Sequence, residues 1–299
     1  MTGSGGRSAL PNRLALGTAQ FGLAYGVANR SGQINGAEAA SILECAMSAG
    51  VDTLDTAIGY GDSERRLGEI GVGRWQVVTK LPGIPEECED IGAWVGEAVR
   101  GSLNRLRIQR LHGLLLHRPN NLLADRGEEL FAALTGLKQA GFVEKIGVSI
   151  YHPEELDALC AVYDFDLVQA PFSIIDRRLE TSGWLERLHL AGTEIHVRSV
   201  FLQGVLLMPE GETPEKFSRW TALWGEWHRW LSACGLTALQ ACLAFVLAHP
   251  EVDRVIVGID DPRQLREILA GCAAPPSVPM APLECDDPDL LDPRRWNPV

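Results

Sequence analysis

Short apolar, β-branched runs alternate with longer amphipathic stretches along nearly the whole chain. This alternation limits the fold more than any other feature of the sequence. The strand-like runs are Leu14–Gly17, Thr53–Asp55, Gln76–Lys80, Leu111–Leu116, Lys145–Ser149, Leu167–Gln169, Glu194–Ser199 and Arg254–Val257. Each precedes a helix-like segment, in order Ala37–Ala49, Asp62–Ile70, Ile91–Leu106, Arg126–Gln139, Pro153–Val162, Ser182–Ala191, Ala238–Ala248 and Pro262–Leu269. A pattern that switches repeatedly from strand to 3.6-residue helix implies parallel βαβ units. Eight units spaced about 34 residues apart predict an α/β fold of the (β/α)8 TIM barrel type, which needs roughly 250 residues. A doubly wound open sheet is the alternative that periodicity leaves open.

Two segments fall outside the repeat. Phe201–Gly235, between the seventh strand and its helix, carries Trp220, Trp224, Trp227 and Trp230 at spacings of one helical face. It predicts an extra helical insertion packed on the barrel, with a lid or partner surface as the other reading. Residues 273–299 form a proline-rich, acidic C-terminal tail that is expected to wrap the surface. The domain reading is therefore one barrel over 1–272, with 1–12 expected to be flexible, followed by the tail.

Composition narrows the function. The 299 residues carry a net charge of −12, against the basic footprint expected for nucleic acid or an anionic membrane. The longest apolar run, Ala241–Ala248, is far shorter than the roughly 18 residues of a spanning helix. The N-terminus has no hydrophobic signal core, so the cytoplasm is the expected compartment. Seven cysteines (Cys45, Cys88, Cys160, Cys234, Cys242, Cys272 and Cys285) include no CxxC pair, which points to reduced thiols and no metal site.

In a parallel barrel the C-terminal strand ends converge on one mouth, where active sites sit. Those positions here read Gly17-Thr18, Asp55, Lys80, His117, Ser149, Gln169, Arg198-Ser199 and Gly258. Polar groups thus end nearly every apolar strand. The sharpest set is Asp55, Tyr60, Lys80 and His117. A buried lysine needs a partner, and Asp55 is the natural one. The retained ammonium charge is expected to lower the pKa of Tyr60, making its phenol a general acid, while His117 orients a carbonyl by a hydrogen bond.

The sequence resembles the aldo/keto reductase family over about residues 13 to 271. The matching text is Leu16-Gly17-Thr18-Ala19-Gln20-Phe21-Gly22, Leu54-Asp55-Thr56-Ala57 with Tyr60, Thr79-Lys80, Leu116-His117-Arg118, Gly147-Val148-Ser149, Val168-Gln169, Leu202-Gln203-Gly204 and Val257-Gly258 with Gln264-Leu265 and Glu267. The resemblance implies a catalytic tetrad of Asp55, Tyr60, Lys80 and His117. It implies hydride transfer from a nicotinamide dinucleotide to a carbonyl carbon while Tyr60 protonates the oxygen. It also implies cofactor contacts at Gly17 and Thr18, at Ser149 and Gln169 for the carboxamide, and at Arg198, Ser199, Leu202 and Gly204 along the loop after strand seven. Gly258, Asp260, Gln264 and Glu267 would meet the adenosine end. Phe21 and Ile58 flank motif residues and are the substrate candidates.

Several positions depart from the family pattern. Arg198 stands where many members place an aromatic ring, and Ile150 and Ile268 replace two asparagines. Asp260-Asp261 occupies the place where NADPH-preferring members carry a basic or hydroxyl residue. Family habit implies NADPH, with NADH as the alternative. Arg254, Arg263 and Arg266 are candidate compensating charges.

The sequence therefore predicts an NAD(P)H-dependent reductase of a small aldehyde, ketone or sugar-derived carbonyl compound. A non-catalytic dinucleotide-binding regulatory or redox-sensing subunit is the second reading. A metal-dependent barrel hydrolase or isomerase is the third, and only Asp55 and His117 are available at the mouth to serve it. Oligomeric state is not legible.

Overall fold

The computed structural model describes residues 13–30, 32–273, 281 and 283–296, with Ala273 described by its backbone alone. The expectations for 1–12 and for the start of the tail at 274–280 lie outside these residues. Eight strands close into a barrel in chain order: β1 (Leu14–Gly17), β2 (Thr53–Asp55), β3 (Gln76–Leu81), β4 (Leu111–Leu116), β5 (Val143–Ser149), β6 (Leu167–Pro171), β7 (Glu194–Arg198) and β8 (Arg254–Gly258). Every pairing is parallel, and β8 returns to β1 with Gly17 opposite Gly258.

The strands and helices follow the sequence pattern with small boundary differences. β5 starts at Val143, two residues earlier than the apolar run, because the charged pair Glu144-Lys145 interrupts the run while Val143 already pairs with Leu111. The helix expected over Pro153–Val162 is short, Glu155–Leu159. There the carboxylate of Glu155 accepts the backbone N–H groups of Tyr151 and His152, each at 2.7 Å. Helix Ile91–Leu106 occupies its expected span, with the Asp90 carboxylate capping Ala93 N–H at 2.8 Å.

Most apolar burial lies between sheet and helices, where Leu14, Leu54, Leu114, Val168 and Ile195 are fully covered. Inside the barrel only Val78, Leu115 and Leu167 form a separate apolar cluster. Polar layers lie on either side of it. Toward the C-terminal strand ends sit Asp55, Lys80 and Gln169. Toward the N-terminal ends, Glu194 binds Lys145 and lies 2.7 Å from His196 Nε2 and 3.3 Å from His112 Nε2. His196 is completely buried, and its Nδ1 has no partner among the described residues.

The insertion forms helix Thr221–Cys234 and packs its tryptophan face inward, as the spacing predicts. Trp224 and Trp227 are buried, and their indole N–H groups donate to Phe217 O and Leu206 O, both at 3.0 Å. The described part of the tail docks on this insertion and on the mouth. Trp296 meets Phe217 edge-on at 5.0 Å, and Arg294 covers the Tyr151 ring at 3.6 Å. No single helix among the described residues is long and apolar enough to cross a membrane.

Candidate active site

Asp55 ends β2, Lys80 lies one residue before the end of β3, and His117 directly follows β4. Tyr60 comes from the loop after β2, and local geometry fixes that loop. Ser63 N–H donates to Tyr60 O at 3.0 Å, while Ser63 Oγ donates to Thr18 O at 2.9 Å. Gly22 packs so closely that a Cβ there would lie 1.7 Å from Tyr60 O, so no other residue fits. Lys80 Nζ, 1% exposed, sits 2.6 Å from Asp55 Oδ1 and donates to Thr56 O at 2.9 Å. The same Nζ is 5.1 Å from the centre of the Tyr60 ring, and His117 approaches that ring edge-on at 6.0 Å. The four residues expected to act together are thus one cluster.

Electrostatics correct one expectation. The Tyr60 phenol is pushed above its ordinary value, not below it. Burial is the main cause and the Asp55 carboxylate adds to it, with Arg198 opposing. Asp55 lies against the ammonium and offsets its charge, so Lys80 does not drive Tyr60 toward the phenolate. Lys80 itself is pulled down by burial, against the pull of Asp55. Burial, then the charges of Lys80 and Arg198, lower His117 to about 4. At neutral pH the site therefore offers a phenol O–H and a neutral imidazole with one N–H.

A cavity of about 530 Å³, in the usual range for small-ligand sites, opens beside this cluster. Asp55, Tyr60, Arg198, Asp260, Gln264 and Glu267 all line it. Gly17, Thr18, Ser199, Gly204 and Gly258 line it as well. The β7 loop runs in left-handed conformation at Ser199 (φ 62°), Leu202 (47°), Gln203 (51°) and Gly204 (91°). Such strain gathers at ligand clamps. A Cβ on Gly204 would fall 2.4 Å from Ala28 Cβ, so the β7 loop and the segment after β1 touch over the cavity.

Other expected residues lie off the cavity wall. Ser149 Oγ donates to Gln169 Oε1 at 3.0 Å, and Gln169 Nε2 donates to Asp55 Oδ2 at 2.7 Å, so this buried pair already has partners. Leu202 is 2% exposed and faces the core. Phe21 is likewise core, at 1%, and Ile58 packs partly buried against it. Arg254 is no compensating charge for the adenosine end: it starts β8 and bonds Thr53 and Gln76 at the opposite face of the barrel. Asp261 caps helix Pro262–Ala273 through Arg263 N–H at 2.6 Å and Gln264 N–H at 3.2 Å.

The sequence reading missed part of the wall. Gly26, Ala28 and Asn29 line it, as do Gln203 and Thr237–Leu239. Asn29 is knitted into its loop by Gly32 and Tyr25 and reaches Asp260 Oδ1 at 3.3 Å. Its only sequence signal is a Gly-Asn-Gly spacing in an irregular stretch. Among the described residues no group of three or more His, Cys, Asp and Glu side chains could hold a metal ion.

The barrel, the mouth tetrad and the adjoining cavity together define an oxidoreductase of the barrel class. A model of the aldo/keto reductase family matches residues 13–278, and the chain belongs to that family. It is 26% identical over 257 residues to the uncharacterized oxidoreductase YqkF of Bacillus subtilis, covering 79% of this chain and 83% of that one. It is 26% identical to a D-threo-aldose 1-dehydrogenase from a Pseudomonas species, covering 86% of this chain and 91% of the other. The holo form of an aldo-keto reductase from Bacillus halodurans shares the fold, with a TM-score of 0.70 at 22% identity, covering 88% and 87% of the two chains.

Proposed function

We propose that this protein reduces the carbonyl of a small aldehyde, ketone or sugar-derived compound to the alcohol with NAD(P)H. The observation that carries the proposal is the placement of the Tyr60 phenol on the cavity wall beside the Lys80–Asp55 pair and His117. The residues present fit the dinucleotide. Gly17, Gly204 and Gly258 bring bare backbone to the wall, and the β7 loop, left-handed at Ser199 and again over 202–204, contributes more. Gly17, Thr18 and Gly258 would floor the site, Ser199 and Gly204 would follow the phosphates, and Gln264 and Glu267 would meet the adenosine. Ser149 and Gln169 would take the carboxamide by exchanging a bond they now make with each other.

When bound, the dinucleotide supplies the hydride. The chain supplies the rest. Tyr60 O–H and the neutral His117 N–H hydrogen-bond the carbonyl oxygen and orient it. As the new C–H bond forms, the carbonyl electron pair moves to oxygen, and the Tyr60 proton passes to it. A forming alkoxide is more basic than a phenolate, so a phenol with a raised pKa still serves as acid. The Lys80 ammonium then balances the phenolate, and Asp55 keeps it in place.

Family habit favours NADPH, whereas the wall favours NADH. Asp260, Glu267, Gln264 and Asn29 line the adenosine end with no lysine or arginine among them. A carboxylate near a ribose hydroxyl accepts its hydrogen bond, whereas one near a 2′-phosphate repels it. The test is loss of reduced-dinucleotide absorbance across aldehydes, ketones and sugars with each cofactor. Carbonyl-dependent oxidation is the expected result. Tight dinucleotide binding with no turnover would favour the regulatory reading.

A further inference from the structure

Arg198 is the only lysine or arginine among the described residues that line the cavity. It has no carboxylate partner among those residues, in a chain whose net charge is −12. Its Nη1 donates to Ser199 Oγ at 3.3 Å and its Nη2 to Ile150 O at 2.8 Å; its other N–H donors have no acceptor among the described residues. The guanidinium lies 4.4 Å from the centre of the Tyr151 ring, and Arg294 of the tail covers the same ring at 3.6 Å. Arg294 is neutralised by Asp292 at 2.6 Å, but Arg198 is not. No protein group accepts from the Tyr151 hydroxyl among the described residues. Two cations therefore share one ring, and the one nearer the cavity is left without an anion.

A half-buried guanidinium without a counterion is costly, and its planar fork matches a carboxylate. The guanidinium lines the cavity together with Tyr60, and its charge acts on Tyr60 and His117. The geometry points to Arg198 as the receptor for a carboxylate on the substrate, so that the compound reduced is an oxo acid or aldehyde acid. This inference rests on the carbonyl-reductase reading for its reaction, but not for its anion site. The other source of anionic oxygen is the cofactor pyrophosphate, and the experiment separates the two.

Succinic semialdehyde is compared with its methyl ester in the wild type, Arg198→Met and Arg198→Lys. The wild type is expected to prefer the acid in kcat/KM by about tenfold or more, mainly through KM. Arg198→Met removes the preference, and Arg198→Lys keeps part of it because the charge remains. An acid-to-ester ratio equal in wild type and Arg198→Met overturns the proposal. Weakened dinucleotide binding in Arg198→Met with that ratio unchanged also overturns it and assigns Arg198 to the pyrophosphate. Calorimetry with butyrate and butyramide needs no turnover. Butyrate should bind more tightly than butyramide to the wild type and lose that advantage in Arg198→Met. If no carbonyl compound turns over but this difference persists, the reductase reading fails and the anion site stands. Equal binding of the two probes refutes the anion site.

Discussion

Gln169 Nε2 donates to Asp55 Oδ2 at 2.7 Å from β6 to β2, across the barrel interior. Asp55 Oδ1 meanwhile holds Lys80 Nζ at 2.6 Å, so one carboxylate is fixed on both oxygens. Gln169→Leu leaves Asp55 Oδ2 and Ser149 without this partner in a dry interior. The expected cost is about 1–3 kcal/mol of stability. Because Asp55 positions Lys80, kcat should fall more than KM rises. Thermal unfolding together with steady-state kinetics checks both. An unchanged melt would contradict the fixed geometry.

The pH profile follows from two shifts of opposite consequence. Tyr60 holds its proton above the ordinary phenol value, and His117 stays neutral down to about 4. The acid form of Tyr60 and the neutral form of His117 therefore coexist across the neutral range. kcat/KM for reduction should be flat between roughly pH 6 and pH 9. An alkaline limb with an apparent pKa near neutrality would show that Lys80 does lower the phenol. Initial rates at constant ionic strength decide between these outcomes.

The polar layer at the N-terminal strand ends is a stability element. Burial alone would raise Glu194, but the hydrogen bonds of His112, His196 and Lys145 outweigh it and hold the carboxyl far below its ordinary range. A depressed carboxyl stabilises the fold above the unfolded value of about 4.5 and loses that contribution as pH falls toward the folded value. Glu194→Gln should cost about 3 kcal/mol at neutral pH. It should also flatten the acid side of the stability curve. Denaturant melts at several pH values measure both, and an equally steep acid limb in the variant would refute the assignment.

Asp260 lines the cavity where we propose the adenosine sits, with Asn29 Nδ2 at 3.3 Å from its carboxylate. Asp260→Ser should shift the NADPH-to-NADH ratio of kcat/KM toward NADPH by about tenfold, on the order of 1 kcal/mol of removed repulsion. Titrating both dinucleotides against tryptophan fluorescence gives the same ratio for binding. No shift in either measurement would mean that Asp260 does not face the ribose.

Much of this site was legible because a closed parallel barrel turns strand ends into neighbours. Asp55, Lys80 and His117 could be read as one cluster from the ends of three apolar runs, and Tyr60 from its short distance beyond Asp55. What stayed hidden depends on side-chain direction and on loops. Nothing in the sequence says that Gln169 spends its amide on Asp55, or that Phe21, inside a motif, turns into the core. The wall at Asn29 and Thr237–Leu239 comes from segments with no period. The sign of the Tyr60 shift was misread because it depends on a balance between burial and two opposite charges. A residue list names the ammonium but not how closely Asp55 neutralises it.

The most direct measurement is turnover of Tyr60→Phe beside its dinucleotide affinity. Loss of the hydroxyl removes the only proton donor assigned to the developing alkoxide. kcat should drop by at least about 100-fold, the usual size of general-acid catalysis. The fluorescence titration for NADH or NADPH should stay close to that of the wild type. A Tyr60→Phe enzyme that reduces its carbonyl substrate at the wild-type rate would contradict the account.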